Sequence, residues 1–366
     1  MSTPVGAHAP SSAAAPAPDP PPPAPRAEPR TASPAIRLKL PSYLPDIDIE
    51  PGLDIIAAYA LKVNPGEGGA ETTWFHAFEM SRAMPSLRIA AGPATAGLML
   101  EGVYSASEGA LIGVAGDSFV LRVREARAGY RYKEWVAVDA GIVPTFTIPL
   151  LDESFGLRAL GPVSAELTGF SSPADLGVVG RFSFPKQYGF IGAGAYNGEG
   201  YTNRELNRGK NIEVAALVRP VPRGILAPLA AYGAYVNGSS GTGLARADRG
   251  TAALLWTGER VRGGASMTYA LGVRDDGQRE ALSLDWSLRG EPIERLIVGT
   301  RGFLYVRDMK STEDRILSIT GLAGFRVAPP LEVFLAVTRQ LPEGAARSAL
   351  PGSDLWEGRL AARFKL

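Results

Sequence analysis

Residues 354–366 read DLWEGRLAARFKL. In steps of two, Trp356, Gly358, Leu360, Ala362, Phe364 and Leu366 share one face, and Glu357, Arg359, Ala361, Arg363 and Lys365 share the other. Successive side chains of a β-strand point to opposite faces, so this stretch predicts a strand that is apolar on one side and charged on the other. A strand of that kind suits a membrane-spanning barrel, apolar face to lipid and charged face to an aqueous lumen. An edge strand of a soluble sandwich is the competing reading.

Composition agrees with a barrel. The chain has 366 residues, a net charge of +1, 43 Gly, 30 Pro, two His and no Cys. The absence of cysteine excludes disulfides, thiolate chemistry and cysteine-based zinc sites. Near-neutral charge without a basic, aromatic-interleaved block argues against a nucleic-acid partner. No apolar run of 18 residues occurs, so a helical membrane span is excluded. A mean hydropathy of +0.02 still permits a barrel, because alternation averages apolar against polar.

Residues 1–34 are rich in Ala, Pro and Ser and include Pro20 to Pro23, a composition that predicts a disordered, extended spacer. They hold no apolar core preceded by positive charge, so a secretion signal is expected upstream of Met1. Residues 35–366 are read as the barrel, with a short strand at Ile36 to Leu40 and a turn-rich approach up to residue 52.

The expected fold is all-β, an antiparallel transmembrane barrel of about 16 strands. The predicted strands are 53–64, 72–83, 97–107, 118–132, 135–144, 174–184, 188–196, 210–220, 226–237, 246–258, 261–274, 280–290, 294–306, 315–328, 331–341 and 354–366. The twelfth sets Leu282, Leu284, Trp286 and Leu288 against Ser283, Asp285, Ser287 and Arg289. In the fourth, Leu121 and Val123 fall out of phase with Ala126, Ala128, Tyr130 and Tyr132, which predicts a bulge near Glu125. Links after even strands are short and links after odd strands mostly long, as in a barrel with short periplasmic turns and long outer loops. Links 84–96 and 275–279 break this rule. Aromatics Trp135, Phe182, Phe184, Tyr188, Tyr232, Tyr235, Trp256, Trp286 and Trp356 are expected at the lipid–water boundaries.

Residues 122–222 resemble the phosphate-selective porin family (porins O and P). The matching text is Arg124-Glu125-Ala126, then VDAGIVP (138–144) before a long connection. Gly180-Arg181-Phe182, Tyr196 to Gly200 (YNGEG) and KNIEVAALVRP (210–220) complete it. The resemblance covers roughly a third of the chain and implies a sixteen-stranded channel, often a trimer, with a pore-folding loop. The family's phosphate-binding residues find no aligned counterpart here. Such barrels usually end in an aromatic residue; here Leu366 stands there and Phe364 lies two residues earlier.

The longest connection, 145–173, is where function is expected, because long loops in compact domains are usually functional. Folded inward, it would bring Asp152, Glu153 and Arg158 into a pore constriction. Arg122, Arg124 and Arg127 of the fourth strand, Asp139 of the fifth and Arg181 of the sixth would face it. Selectivity follows the charges at the narrowest point, and the basic excess points to a weak anion preference. The bland alternatives are a loop on the outer rim and ordinary solvated wall charges.

No enzyme is expected. His76, the one histidine of the barrel region, shares a face with Trp74, Phe78 and Met80, and carboxylate pairs such as Asp275-Asp276 lack further ligands. No cofactor or metal is expected. The predicted partners are outer-membrane lipid, small ions or polar solutes, and two further copies in a homotrimer. Gly189 to Ala195 and Leu226 to Ala234 would form the small, flat wall between copies. The expected function is a passive outer-membrane porin. The rival is an attachment barrel with a partner-binding proline-rich arm, and a weaker third option is a soluble β-rich binding protein.

Overall fold

The computed structural model describes residues 36–41, 45–66, 71–104, 119–202, 208–240, 244–273, 276–311, 313–349 and 353–366. The proline-rich segment 1–34 and the predicted loop 108–117 lie outside them. Sixteen strands form the barrel. They are β1 (Ile47–Asn64), β2 (Thr73–Ala91), β3 (Ala94–Tyr104), β4 (Phe119–Tyr132), β5 (Val136–Pro144), β6 (Ala174–Ser183), β7 (Gly189–Tyr196) and β8 (Asn211–Val218). Then come β9 (Leu229–Asn237), β10 (Asp248–Thr257), β11 (Val261–Val273), β12 (Asp276–Gly290), β13 (Leu296–Val306), β14 (Arg315–Ala328), β15 (Leu331–Glu343) and β16 (Leu355–Lys365). Each pairs antiparallel with its sequence neighbour, and β16 returns to β1 with Trp356 opposite Val63 and Lys365 opposite Asp54. The barrel is closed. Closure leaves no sheet edge and satisfies every ladder without water, the condition for strands in lipid.

Alternation decides what faces out. On β16, Trp356 and Leu360 are exposed, as is Leu366 just past its end, whereas Ala361 is buried inside. Leu121, Leu254 and Leu335 are 62%, 57% and 59% exposed on the same outer wall. Among the described residues, the charged side chains with outward parity include Asp248, Glu280, Arg315, Arg339 and Glu343, and these stand near the long-loop ends of their strands. Among the described residues the middle of the wall carries no charged side chain, and the hydroxyl of outward Thr300 is satisfied by the Thr320 carbonyl, as a hydrocarbon belt requires.

The phase change on β4 has the expected cause. Pairing with β3 steps from Leu100–Val123 to Met99–Glu125, leaving Arg124 unopposed in a bulge. His76 lies outward beside Tyr59, with Nδ1 2.8 Å from its hydroxyl, and stacks on Trp74.

Three expectations are corrected. The first strand starts at Ile47, not 53, and Ile36–Leu38 pairs with Ile47 to Ile49, below the end of β16. The second continues through Pro85 to Ala91, so the supposed link 84–96 shrinks to Gly92-Pro93 and the rule of short even links holds there. Pro85 is tolerated because pairing with β3 begins only at Ser86, so its missing N–H is not needed. Tyr232 does not belong to the aromatic belt. It pairs with Leu217 on the inner face, is 4% exposed, and shares a hydrogen bond with Thr147 across the lumen. Trp135, Phe182, Tyr188, Tyr235 and Trp356 do lie exposed on the outside.

The wall tolerates no side chain at the start of β7. Gly189 has φ +129°, and a Cβ there would stand 1.8 Å from the Leu217 carbonyl oxygen. Gly189→Ala is expected to destabilise the barrel by about 1–3 kcal/mol, read as a lower urea midpoint of the refolded protein.

Candidate pore constriction

Residues Thr145 to Pro173 leave the end of β5 and cross the interior before β6. They are not irregular: α1 (Thr147–Phe155) and α2 (Ser164–Leu167) flank a 3-10 turn at Arg158–Leu160. Pro149 sits in the first turn of α1, where its missing N–H costs nothing. Gly156, in the left-handed conformation at φ 65°, ends the helix and donates to the Asp152 carbonyl. Ile148, Leu151 and Phe155 fall on one face and are fully buried. Their partners are inward-facing Leu217, Ala230, Tyr232, Leu255, Ala270 and Ala281 of β8 to β12. Farther on, Leu157 and Ala159 pack on Ile56, Ile297, Leu322, Phe334 and Ala336 of β1 and β13 to β15. The segment therefore spans the lumen and fills part of it with a dry core.

Polar contacts fasten it along its length. Glu213 accepts hydrogen bonds from the Phe146 N–H, the Thr147 hydroxyl and the Tyr196 hydroxyl. Asp285 accepts from the Ser164 N–H at 3.0 Å and from its hydroxyl. Arg289 donates to the Gly156 carbonyl at 3.1 Å, Arg301 to those of Gly161 and Pro162, and Arg249 to that of Phe170. These wall residues were not singled out from the sequence. Each stands on the polar side of an alternating strand, but nothing local marks it as a loop anchor.

The charges of the segment fall into two groups. Arg158 is clamped between Asp152 at 2.6 Å and Glu166. Burial alone would lower its pKa; the hydrogen bonds it donates to Glu166 and the charge of Asp152 outweigh burial and hold it above the usual guanidinium value. Glu153 is exposed to the lumen, within electrostatic reach of Arg181 and Lys365 on opposite parts of the wall. Arg82 senses both Asp152 and Arg124. At the seam, Asp54 takes a bidentate pair from Arg363 at 2.9 and 3.0 Å, with Arg82 3.6 Å away.

The sequence-predicted residues are divided by the fold. Asp152 meets Arg158. Arg181 stands over Phe190, 4.3 Å from its centroid, with Glu153 within electrostatic reach. Arg127 pairs with Asp139 at 3.0 Å and with no carboxylate of the segment among the described residues. Arg122 and Arg124 meet none of its carboxylates; both bind Glu101 at 2.8 Å. Tyr201, from the link after β7, caps this cluster: its hydroxyl donates to Glu101 at 2.5 Å and accepts from Arg122 at 2.8 Å. Burial, with Glu101 adding to it against Arg124, pushes the Tyr201 hydroxyl up to about 12, so it stays a donor. Arg82, Asp54, Arg363 and Lys365 were missed as members of the narrow region. The charged face of the last strand is legible, but its closeness to a loop some 200 residues earlier follows only from barrel closure.

A closed antiparallel barrel of this kind has known counterparts. An anion-selective porin from Comamonas acidovorans superposes with a TM-score of 0.62 at 13% identity, over 87% of this chain and 100% of that one. OmpF of Salmonella typhi, in complex with daunomycin, gives 0.62 at 12% identity over 90% and 100%. This is the porin fold. OmpT of Vibrio cholerae shares it with a TM-score of 0.59 at 9% identity, over 90% of this chain and 100% of that one. No protein-family model and no curated protein matches the chain. At such identities the likeness extends to the porin fold and not to individual lumenal residues.

Proposed function

We propose that this chain is a passive channel of the bacterial outer membrane, through which small ions and polar solutes diffuse down their gradients. The observation that carries the reading is a lumen-exposed acidic residue, Glu153, held on a fastened segment opposite basic wall residues, inside a barrel whose outer belt is apolar. Opposite charges across the gap set a transverse field that orients polar solutes. Arg82, Arg158, Arg181, Arg363 and Lys365 outnumber Asp54, Asp152, Glu153 and Glu166 around it, so the preference is weakly for anions. The short-turn rim is assigned to the periplasm and the long-loop rim to the outside.

The channel is a homotrimer in this reading. β7 and β8 have only eight residues each, against 18 in β1 and 19 in β2. Eight residues rising ~3.3 Å each at a tilt of about 40° reach roughly 20 Å, short of the roughly 25 Å apolar band. Outward Ala193, Ala195, Ala216, Ala231 and Gly233 make that wall small and flat, suited to another copy rather than to lipid. The predicted flat stretch Leu226 to Ala234 is trimmed, because β9 starts at Leu229 after a 3-10 turn.

Refolded protein in a planar bilayer is expected to give discrete conductance steps in potassium chloride. Their absence would favour the attachment barrel, with the lumen plugged by its own loop.

A further inference from the structure

Near the short-turn rim, with no residue of the crossing segment in its lining, β1 to β4 surround a cavity of about 150 Å³ lined chiefly by Asp48, Glu50, Arg88, Thr95, Arg127 and Arg131. These residues form two inward rows of the wall. Glu50 pairs with Arg88, Arg88 with Gly97 and Gly97 with Arg127; one step nearer the rim, Thr95 pairs with Gly129. Two glycines keep the hollow open. A Cβ on Gly97 would lie 3.3 Å from Arg127 Nε, and one on Gly129 would lie 2.9 Å from Thr95 Oγ1 and 2.2 Å from Asp139 Oδ1.

Arg127 Nε and Thr95 Oγ1 are buried without a hydrogen-bond partner, and both belong to residues lining this one cavity. Arg127 satisfies only its Nη1, on Asp139 at 3.0 Å; Nε stands 3.5 Å from Glu125 in poor alignment and makes no hydrogen bond. Of the two lining carboxylates, Asp48 is already engaged by Arg37 at 2.7 Å. A buried donor left unmatched is costly, so the site is built for something that accepts hydrogen bonds. Arg127 and Arg131 share the one carboxylate of Asp139, at 3.0 and 3.9 Å, so with Arg88 and the Thr95 hydroxyl they keep donors to spare for an acceptor that carries negative charge.

We propose that this cavity is a binding station for a small oxyanion, a carboxylate or a phosphate, held by Arg127 Nε, the Thr95 hydroxyl, Arg88 and Arg131. It rests on the channel reading for its role, as the station a solute occupies between the constriction and the short-turn rim. The occupancy itself does not.

Two measurements separate the two claims. Isothermal titration of the refolded protein with sodium acetate and, separately, with sodium phosphate reads the site whether or not the barrel conducts. Saturable binding is expected for at least one anion, and the tighter of the two identifies the carboxylate or phosphate source. Arg127→Gln is expected to weaken binding at least about fivefold, the equivalent of one lost net hydrogen bond near 1 kcal/mol. Thr95→Val, which leaves the Arg127–Asp139 pair intact, is expected to weaken it less. In bilayers the conductance carried by the bound anion then saturates with concentration. No saturable binding of either anion, or an affinity unchanged in both variants, overturns the proposal even if chloride conducts. Binding without any conductance leaves the station in place and removes the channel reading instead.

Discussion

Glu153→Lys is expected to shift the zero-current potential of the channel strongly toward anion selectivity in a potassium chloride gradient. The side chain is exposed to the lumen and takes part in no ion pair among the described residues, while Arg181 and Lys365 lie within its field. A unit charge ~8 Å from a passing ion in water is worth about 0.5 kcal/mol, so reversal amounts to about 1 kcal/mol, roughly fivefold in local ion concentration at low salt. Asp152 behaves differently. It is neutralised by Arg158 within the clamp that also includes Glu166, so Asp152→Asn is expected to loosen the segment while moving selectivity less. Reversal potentials unchanged by Glu153→Lys would remove this residue from the solute path.

Leu151→Asp is expected to release the crossing segment from the wall. Leu151 is fully buried between α1 and the inner face of β8 to β12. Its loss forfeits about 2–3 kcal/mol of apolar burial, and a carboxylate in that dry contact costs several kcal/mol more. The sixteen-strand ladder does not depend on the contact, so the barrel stays closed. Single-channel conductance should rise and become noisy, and protease should cut within 145–173, with the β-sheet circular dichroism unchanged. An unaltered conductance would mean that the segment does not limit the pore.

Much of the fold was legible because a strand's pleat is local. The outward set of β16, the bulge on β4 and the outward position of His76 all follow from counting in twos along short stretches. Errors arose where a local signal was overridden. Residues 84–96 read as a link, yet the strand runs straight through Pro85 to Ala91 because no neighbour needs the proline's missing donor. Tyr232 read as a boundary aromatic, yet its parity on β9 and the hydroxyl of Thr147 place it inside.

The candidate site was legible only in part. Loop length singled out 145–173 and its charges. It could not reveal that Glu213, Asp285, Arg289 and Arg301 hold the segment, nor that Arg122 and Arg124 turn away to Glu101 and Tyr201. The sequence by itself determined which side chains meet lipid and which meet the lumen, since that choice is made residue by residue at a period of two. Only the tertiary structure decided which lumenal charges meet one another. Partners across a closed cylinder are set by the register at which β16 joins β1 and by the path of one crossing segment, and neither is written in any local pattern.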